Sequence, residues 1–202
     1  MTVGRRAIQR TAGFTLIEML AVTGIMGILA AIAIPMVGNI VANFRITGDA
    51  RTLLSNLSLA RMHAAANFSR TRLYVDLSTN TYRTEIKTPT TAWTSLGQSV
   101  TLSGTDAFSF GSIATAPPNT QDTIGQASQC LDDASPPVAV ENTACVIFNA
   151  RGVPIDTANA PTAGYALYIT DGGAVIGATV SATGAIRLWR TSATSTPAWV
   201  QQ

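Results

Sequence analysis

An apolar segment near the start of the chain restricts what this sequence can fold into more than any other feature. Residues 14–37 read FTLIEMLAVTGIMGILAAIAIPMV and contain one charged residue, Glu18. A helix of this length would extend about 36 Å, enough to cross the roughly 30 Å hydrocarbon core of a bilayer. Because Arg5, Arg6 and Arg10 precede it, the positive-inside rule predicts a cytoplasmic N-terminus and an external location for everything after Val37.

The composition excludes several classes of protein. Of the 202 residues, 47% are hydrophobic and 12% are charged, which excludes an intrinsically disordered chain. Two cysteines and one histidine, His63, cannot form a Cys₂His₂ or Cys₄ zinc site. His63 is the only histidine that a hydrolase could use, and we expect it to be packed or solvent-facing. The sequence therefore predicts a protein that is not an enzyme and has no cofactor and no metal site.

The apolar segment has three possible interpretations. It could be an uncleaved anchor, or the core of an ordinary secretory signal with a small-x-small cleavage site at residues 31–33. Glu18 argues against the secretory signal, because a carboxylate at the middle of a bilayer costs about 2.5–3.5 kcal/mol, although near the segment's start it could be a tolerated interfacial charge. The third interpretation comes from the residues around this glutamate.

Residues 11–18 read TAGFTLIE. A short basic leader ends at Gly13, Phe14 follows it, and Glu18 lies four residues after Phe14. This junction resembles the class III signal of type IV pilins and of the pseudopilins of type II secretion. The resemblance implies that prepilin peptidase removes residues 1–13 by cutting between Gly13 and Phe14 and then N-methylates Phe14. It also implies that Glu18 attracts the terminal amine of a neighbouring subunit during assembly. Pro35 is similar to a proline of the family's helix and is expected to kink it.

The remaining chain predicts an amphipathic helix followed by a β-rich head. Residues 38–68 continue the helix, and residues 69–202 form the head. A helical spacing of three to four residues predicts that one apolar stripe of the helix packs on the head: Ile40, Phe44, Ala50, Leu53, Leu54, Leu57, Ala64 and Phe68. The predicted fold class is α+β and pilin-like, with the long N-terminal helix on an antiparallel sheet.

Strands are predicted at short β-type runs: Arg72–Leu77, Thr81–Ile86, Val100–Leu102, Phe108–Phe110, Val138–Val140, Cys145–Phe148, Ala166–Thr170, Ala174–Val180 and Ala185–Trp189. Residues 78–80 predict a hairpin turn between the first two runs. Residues 116–137 are predicted to form a long loop.

Three shorter motifs are similar to GspH/FimT-type pseudopilins. Ala60-Arg61 lies in a helix end that is similar to the helix end of these proteins. Residues 148–152 (FNARG) resemble their Phe-x-x-x-Gly turn, and residues 184–188 (GAIRL) resemble their closing Gly-x-x-Arg strand. This narrower resemblance implies a minor subunit present in few copies near a filament tip.

Cys130 and Cys145 lie on the predicted external side, where thiols oxidise. We expect a disulfide between them, with free buried cysteines or a redox pair as alternatives. Asp132-Asp133 and Asp171 lie in short acidic turns that lack the six to eight oxygens that Ca²⁺ requires.

Arg187, Trp189 and Arg190 form the other candidate site. Some FimT-like minor pilins bind DNA through arginines of C-terminal strands, so these arginines would contact phosphates while the indole stacks on a base. The alternative is an ordinary edge strand with solvated arginines.

The predicted function is that of a minor pseudopilin, in a type II secretion pseudopilus or a type IV pilus. The expected partners are other pseudopilins or pilins, prepilin peptidase and the inner-membrane assembly platform. The expected location is the bacterial inner membrane, with a single pass and a periplasmic head. The alternatives are a FimT-like subunit that binds DNA and a secreted ligand-binding β-domain with an ordinary signal peptide.

Overall fold

The computed structural model describes residues 14–88, 92–194 and 196–202, without the side chains of residues 35, 36 and 39. The leader, including Gly13, lies outside the described residues. One α-helix, α1, runs over Leu16–Ala66 and is continuous through Pro35, so its predicted kink stays a prediction. The chain divides into two compact units between Val41 and Ala42.

The described residues of the second unit form ten strands in two antiparallel sheets. In the first sheet the order is β3-β2-β1-β5-β6, and β4 also pairs with β2; in the second the order is β10-β9-β8-β7. The bounds are β1 Thr71–Asp76, β2 Thr81–Lys87, β3 Trp93–Ser95, β4 Val100–Thr101, β5 Thr143–Phe148, β6 Pro154–Ile155, β7 Tyr165–Thr170, β8 Ala174–Val180, β9 Ile186–Ser192 and β10 Val200–Gln201. The chain is therefore α+β, with a long N-terminal helix and antiparallel sheets.

The core of this unit lies between α1 and both sheets. The helix contributes one regular stripe of buried side chains: Ile46, Ala50, Leu53, Leu57, Ala60 and Ala64. Strands β1, β5, β7 and β8 supply the facing apolar side chains, among them Leu73, Val146, Leu167 and Ile176. The 3.6-residue period of the helix thus sets the face that holds the two sheets together.

Two aromatic residues of the predicted stripe are exposed, which corrects the sequence-based assignment. Phe44 is 74% exposed because it precedes Ile46 by two residues, about 200° around the helix from the buried stripe. Phe68 is 86% exposed and lies beyond the end of α1, with a φ of 49°. Ile46 and Ala60 are buried in their place, because strict three- and four-residue spacing from Ala50 and Leu57 reaches them.

The predicted hairpin of β1 and β2 is confirmed. Asp76 pairs with Thr81 at its end, and the Asp76 carboxylate accepts hydrogen bonds from the backbone N–H groups of Ser78 and Thr79. The sequence did not predict β3, β6 and β10, because two or three residues are too few to show an alternating pattern. The strands predicted at residues 108–110 and 138–140 are wrong. These two segments form no strand, and near them lie only the isolated bridges Ala107–Thr170 and Leu131–Ala139.

The predicted long loop covers the outer faces of both sheets. Ile113 and Ile124 pack with Tyr168 on the outer face of the second sheet, and Cys130 packs with Ile147 on that of the first. Strands β5 and β8 are consequently buried along their whole length. This double burial explains why these strands read as continuous apolar runs rather than as alternating patterns.

Candidate functional site

The start of α1 is a capping box formed by Thr15 and Glu18. The Thr15 hydroxyl accepts a hydrogen bond from the Glu18 N–H, with 3.3 Å between Oγ1 and N. In return, Oε2 of Glu18 accepts from the Thr15 N–H at 3.0 Å and from its hydroxyl at 2.9 Å. Such a reciprocal pair satisfies two backbone donors that the first turn of a helix leaves unpaired. The Thr-x-x-Glu spacing was visible in the sequence, but its capping role was missed.

The described residues of the first unit present an apolar surface to their surroundings. Leu16–Ile34 is long and apolar enough to cross a membrane, by length and composition. Its large hydrophobic side chains are exposed, as is Phe14 at 84%. The Thr23 hydroxyl donates to the carbonyl groups of Met19 and Leu20, so this polar group is satisfied within the helix. A helix with this surface requires a bilayer or other apolar helices around it.

Comparison with known proteins places a family motif on this segment. Residues 8–34 match the prokaryotic N-terminal methylation motif. The match is confined to this N-terminal part of the chain. The matched range contains Phe14 and Glu18, the two described residues to which the sequence assigned roles in processing and assembly.

One solved structure is similar over much of the chain. It is the minor pseudopilin EpsH of the type II secretion system of Vibrio cholerae, with 14% sequence identity and a TM-score of 0.41. The alignment covers 76% of this chain and 94% of EpsH. A search of curated protein sequences gave no significant match.

In the second unit, Arg61 of α1 is held by two turns. Its Nε donates to the carbonyl oxygen of Gly152 at 3.1 Å, and its Nη2 donates to that of Thr183 at 3.4 Å. Gly152 closes the turn after β5, and Gly184 closes the turn before β9. We call Arg61, Gly152, Thr183 and Gly184 the arginine clamp. The three short motifs that suggested a GspH/FimT-type protein thus meet at one point, where α1 is joined to both sheets.

Both glycines of the clamp are required by backbone geometry. Gly152 and Gly184 have φ angles of 71° and 78°, a left-handed conformation that glycine adopts without steric cost. A Cβ atom on Gly184 would lie 2.6 Å from the Gly152 carbonyl oxygen and 3.0 Å from Nε of Arg61. The close approach of two backbones and a guanidinium leaves no space for a side chain there.

The predicted disulfide between Cys130 and Cys145 is confirmed. The two Cα atoms lie 5.0 Å apart, and both residues are buried on the outer face of the first sheet. The backbone N–H of Cys145 donates to the Ser128 carbonyl group at 2.8 Å, and that of Cys130 donates to the Thr143 hydroxyl at 3.1 Å. The bond therefore fixes the end of the long loop to β5.

The three residues of the proposed DNA site lie in different environments. Arg187 is exposed, whereas Trp189 is 9% exposed and donates through Nε1 to the Thr179 hydroxyl at 3.1 Å. Arg190 donates to Thr47 at 3.2 Å and also to Asn43, both on α1. The buried indole presents no free face for stacking on a base, and Arg190 is engaged by the helix. DNA binding by this group therefore stays a prediction that the geometry does not favour.

The acidic turns use their carboxylates locally. Asp132 accepts hydrogen bonds from the backbone of Val138, Asp133 pairs with Lys87 at 2.6 Å, and Asp171 accepts from the backbone N–H of Ala174. Over residues 14–88, 92–194 and 196–202, no group of three His, Cys, Asp or Glu side chains is arranged to hold a metal ion.

Asp106 is a buried carboxyl group with an incomplete set of partners. It is 4% exposed, and its Oδ2 accepts no hydrogen bond from the described residues. Burial and the nearby carboxylates of Asp49 and Asp171 raise its pKa from 3.8 to about 6, although Arg45 opposes them. A raised pKa means that the folded head favours the protonated form.

We expect Asp106→Asn to remove a pH dependence of stability. The proton of Asp106 stabilises the fold fully below pH 3.8, and this contribution is lost as the pH rises through about 6. The loss amounts to about 3 kcal/mol at pH 7. Thermal unfolding of wild type and variant between pH 4 and pH 7 measures it, with the exposed Asp122→Asn as control. Parallel profiles for wild type and Asp106→Asn would contradict the assignment.

Proposed function

We propose that this chain is a minor pseudopilin, a structural subunit of a type II secretion pseudopilus or of a type IV pilus. The observation that carries the proposal is the N-terminal methylation motif over residues 8–34, placed on an exposed apolar helix that Glu18 caps. Assembly with other pilin-like subunits would cover the apolar surface of this helix. Its role is structural, and the pilin-like segment supports no catalytic step.

Processing would prepare the helix for assembly. Prepilin peptidase cuts between Gly13 and Phe14 and methylates the new N-terminus, so the apolar helix remains in the mature protein. The single-pass subunit then stays in the inner membrane with its head in the periplasm, until the assembly platform moves it into the filament. Cleavage leaves a positively charged amine on Phe14.

The geometry at Glu18 supports its pairing with that amine. Capping occupies Oε2, whereas Oε1 accepts no hydrogen bond from the described residues. A carboxylate in apolar surroundings is tolerated when a cation pairs with it. Oε1 is therefore free to receive the Phe14 ammonium of a neighbouring subunit while the capping box stays intact.

Intact-mass and N-terminal analysis of the protein from its native membrane tests this proposal. Removal of residues 1–13 predicts a chain of 202 − 13 = 189 residues that begins with methylated Phe14. A chain that begins at Ile34 would identify an ordinary signal peptide and a secreted domain, and an unprocessed chain would identify a simple anchor. A gene knockout scored for exoprotein release against twitching would then separate secretion from pilus function.

A further inference from the structure

We propose that the head binds an extended acidic polypeptide segment in a groove between α1 and β9. The groove is rimmed by Arg51, Arg61, Arg151 and Arg187, and Leu54 and Ile186 lie at its centre. We call it the arginine groove. The proposal concerns the head alone, goes beyond the role in filament assembly and does not depend on it.

The arginine groove consists of two adjoining depressions that share Leu54 and Ile186. One has a volume of about 370 Å³ and contains Arg61 and Arg151; the other has a volume of about 320 Å³ and contains Arg51 and Arg187. The shared residues make the two depressions one continuous surface along the helix. A surface of this form suits an extended chain better than a compact small molecule.

The positive charges of the groove are not neutralised by the protein. The side chains of Arg51, Arg151 and Arg187 are exposed and form no hydrogen bond or ion pair with the described residues. Arg61 donates to backbone carbonyl groups, which leave its charge intact. No Asp or Glu lines either depression. Four unpaired cations in one groove favour a ligand with several negative charges.

Three basic residues elsewhere in the second unit, unlike those of the groove, form ion pairs with carboxylates. Arg72 and Arg83 both form ion pairs with Glu85, at 2.6 and 2.7 Å, and Lys87 pairs with Asp133. The whole chain has a net charge of only +2. The charge of the groove is therefore a local property rather than a reflection of a basic protein.

The lining of the groove favours a polypeptide over a nucleic acid. Its apolar residues are aliphatic, including Met62 and Ile176, and no aromatic side chain lines it. Single-stranded nucleic acids are bound mainly by stacking of their bases on aromatic rings. Aliphatic side chains beside arginines instead match a peptide that alternates apolar and acidic residues.

The edge of β9 offers main-chain partners for such a peptide. Strand β10 pairs with β9 at Trp189 and Arg190, and the N–H of Gln202 donates to the Leu188 carbonyl group. No described strand pairs with Ile186 or Arg187 on that side. An extended segment can add to a free strand edge, with main-chain hydrogen bonds giving affinity and alternate side chains giving specificity.

The test is a binding measurement on the full-length chain in detergent, by fluorescence anisotropy. The probe is a labelled peptide of alternating Glu and Val, compared with peptides of alternating Glu and Ser or Lys and Val. The variant Arg51→Gln/Arg187→Gln removes two unpaired charges, and Arg70→Gln removes an exposed arginine outside the arginine groove. Circular dichroism confirms that each variant is folded.

We expect the Glu-Val peptide to bind, and the double variant to weaken its binding at least tenfold while Arg70→Gln leaves it unchanged. The Glu-Ser peptide should bind more weakly, and the Lys-Val peptide should not bind. Absence of Glu-Val binding, or equal binding by the double variant, would overturn the proposal. A single-stranded oligonucleotide of equal charge that displaces the peptide more effectively would identify the groove as a nucleic-acid site and would also overturn it.

Discussion

Glu18→Gln should be processed normally at Phe14 and should enter filaments about a hundredfold less efficiently than the wild-type subunit. The reason is that the Phe14 ammonium of a neighbour would then be buried without a counter-ion, at a cost of about 3 kcal/mol or more. The measurement is the ratio of variant subunit in the sheared or purified filament fraction to that in the membrane. Normal processing is checked on the same material by mass spectrometry.

One further variant, Thr15→Ala, separates the charge of Glu18 from its capping role. Glutamine retains an oxygen that can accept from the Thr15 N–H, so Glu18→Gln changes the charge and leaves the capping box largely intact. Thr15→Ala keeps the charge of Glu18 and removes the capping hydroxyl group. The loss of such a cap destabilises a helix by about 1 kcal/mol. We expect Thr15→Ala to assemble far better than Glu18→Gln. Wild-type assembly of Glu18→Gln, with failure of Thr15→Ala, would mean that Glu18 acts only as a helix cap.

Gly184→Ala should destabilise the head by about 2–5 kcal/mol. The residue has a φ of 78°, and its added Cβ would lie 2.6 Å from the Gly152 carbonyl oxygen, so the arginine clamp would have to open. The left-handed conformation costs about 1–2 kcal/mol for a residue with a Cβ, and the forced shift adds about 1–3 kcal/mol. Denaturant unfolding followed by tryptophan fluorescence measures the change, because Trp189 is buried.

Gly172→Ala is the matched control for this prediction. Gly172 has a φ of 89°, and a Cβ atom there would meet nothing within 4 Å. Both variants incur the conformational cost, and only Gly184→Ala also disturbs the clamp. Equal losses of unfolding free energy in the two variants would therefore show that the close approach at Gly184 is unimportant.

The paired cysteines and the first hairpin could be predicted from the sequence because each follows from short-range information. Cys130 and Cys145 are the only two cysteines, and residues 78–80 supply turn chemistry between two β-type runs. The helix stripe was only partly predictable. Phe44 is apolar but lies on the side of the helix opposite the buried stripe, because an apolar side chain can also be exposed and hydrophobicity alone does not fix which face meets the sheets.

The candidate DNA site could not be assessed correctly from the sequence, because the burial of its residues depends on long-range contacts. Alternation along β9 places Arg187 and Trp189 on one face, yet Arg187 is exposed and Trp189 is buried. The Trp189 indole bonds to Thr179 of the neighbouring strand β8, a contact that the pattern of β9 alone does not show. The bonds from Arg190 to α1 likewise join residues more than a hundred positions apart, which no local pattern predicts.

Residue type and spacing within a few turns of one helix are enough to predict the apolar helix, its charged exception at Glu18 and the methylation motif around Phe14. The division of the strands into two sheets and the meeting of Arg61 with Gly152 and Gly184 follow instead from the tertiary fold. The same fold brings unpaired arginines from distant parts of the chain to one groove. These features arise from contacts between residues far apart in the chain, and such contacts form only when burial of a common core brings the elements together.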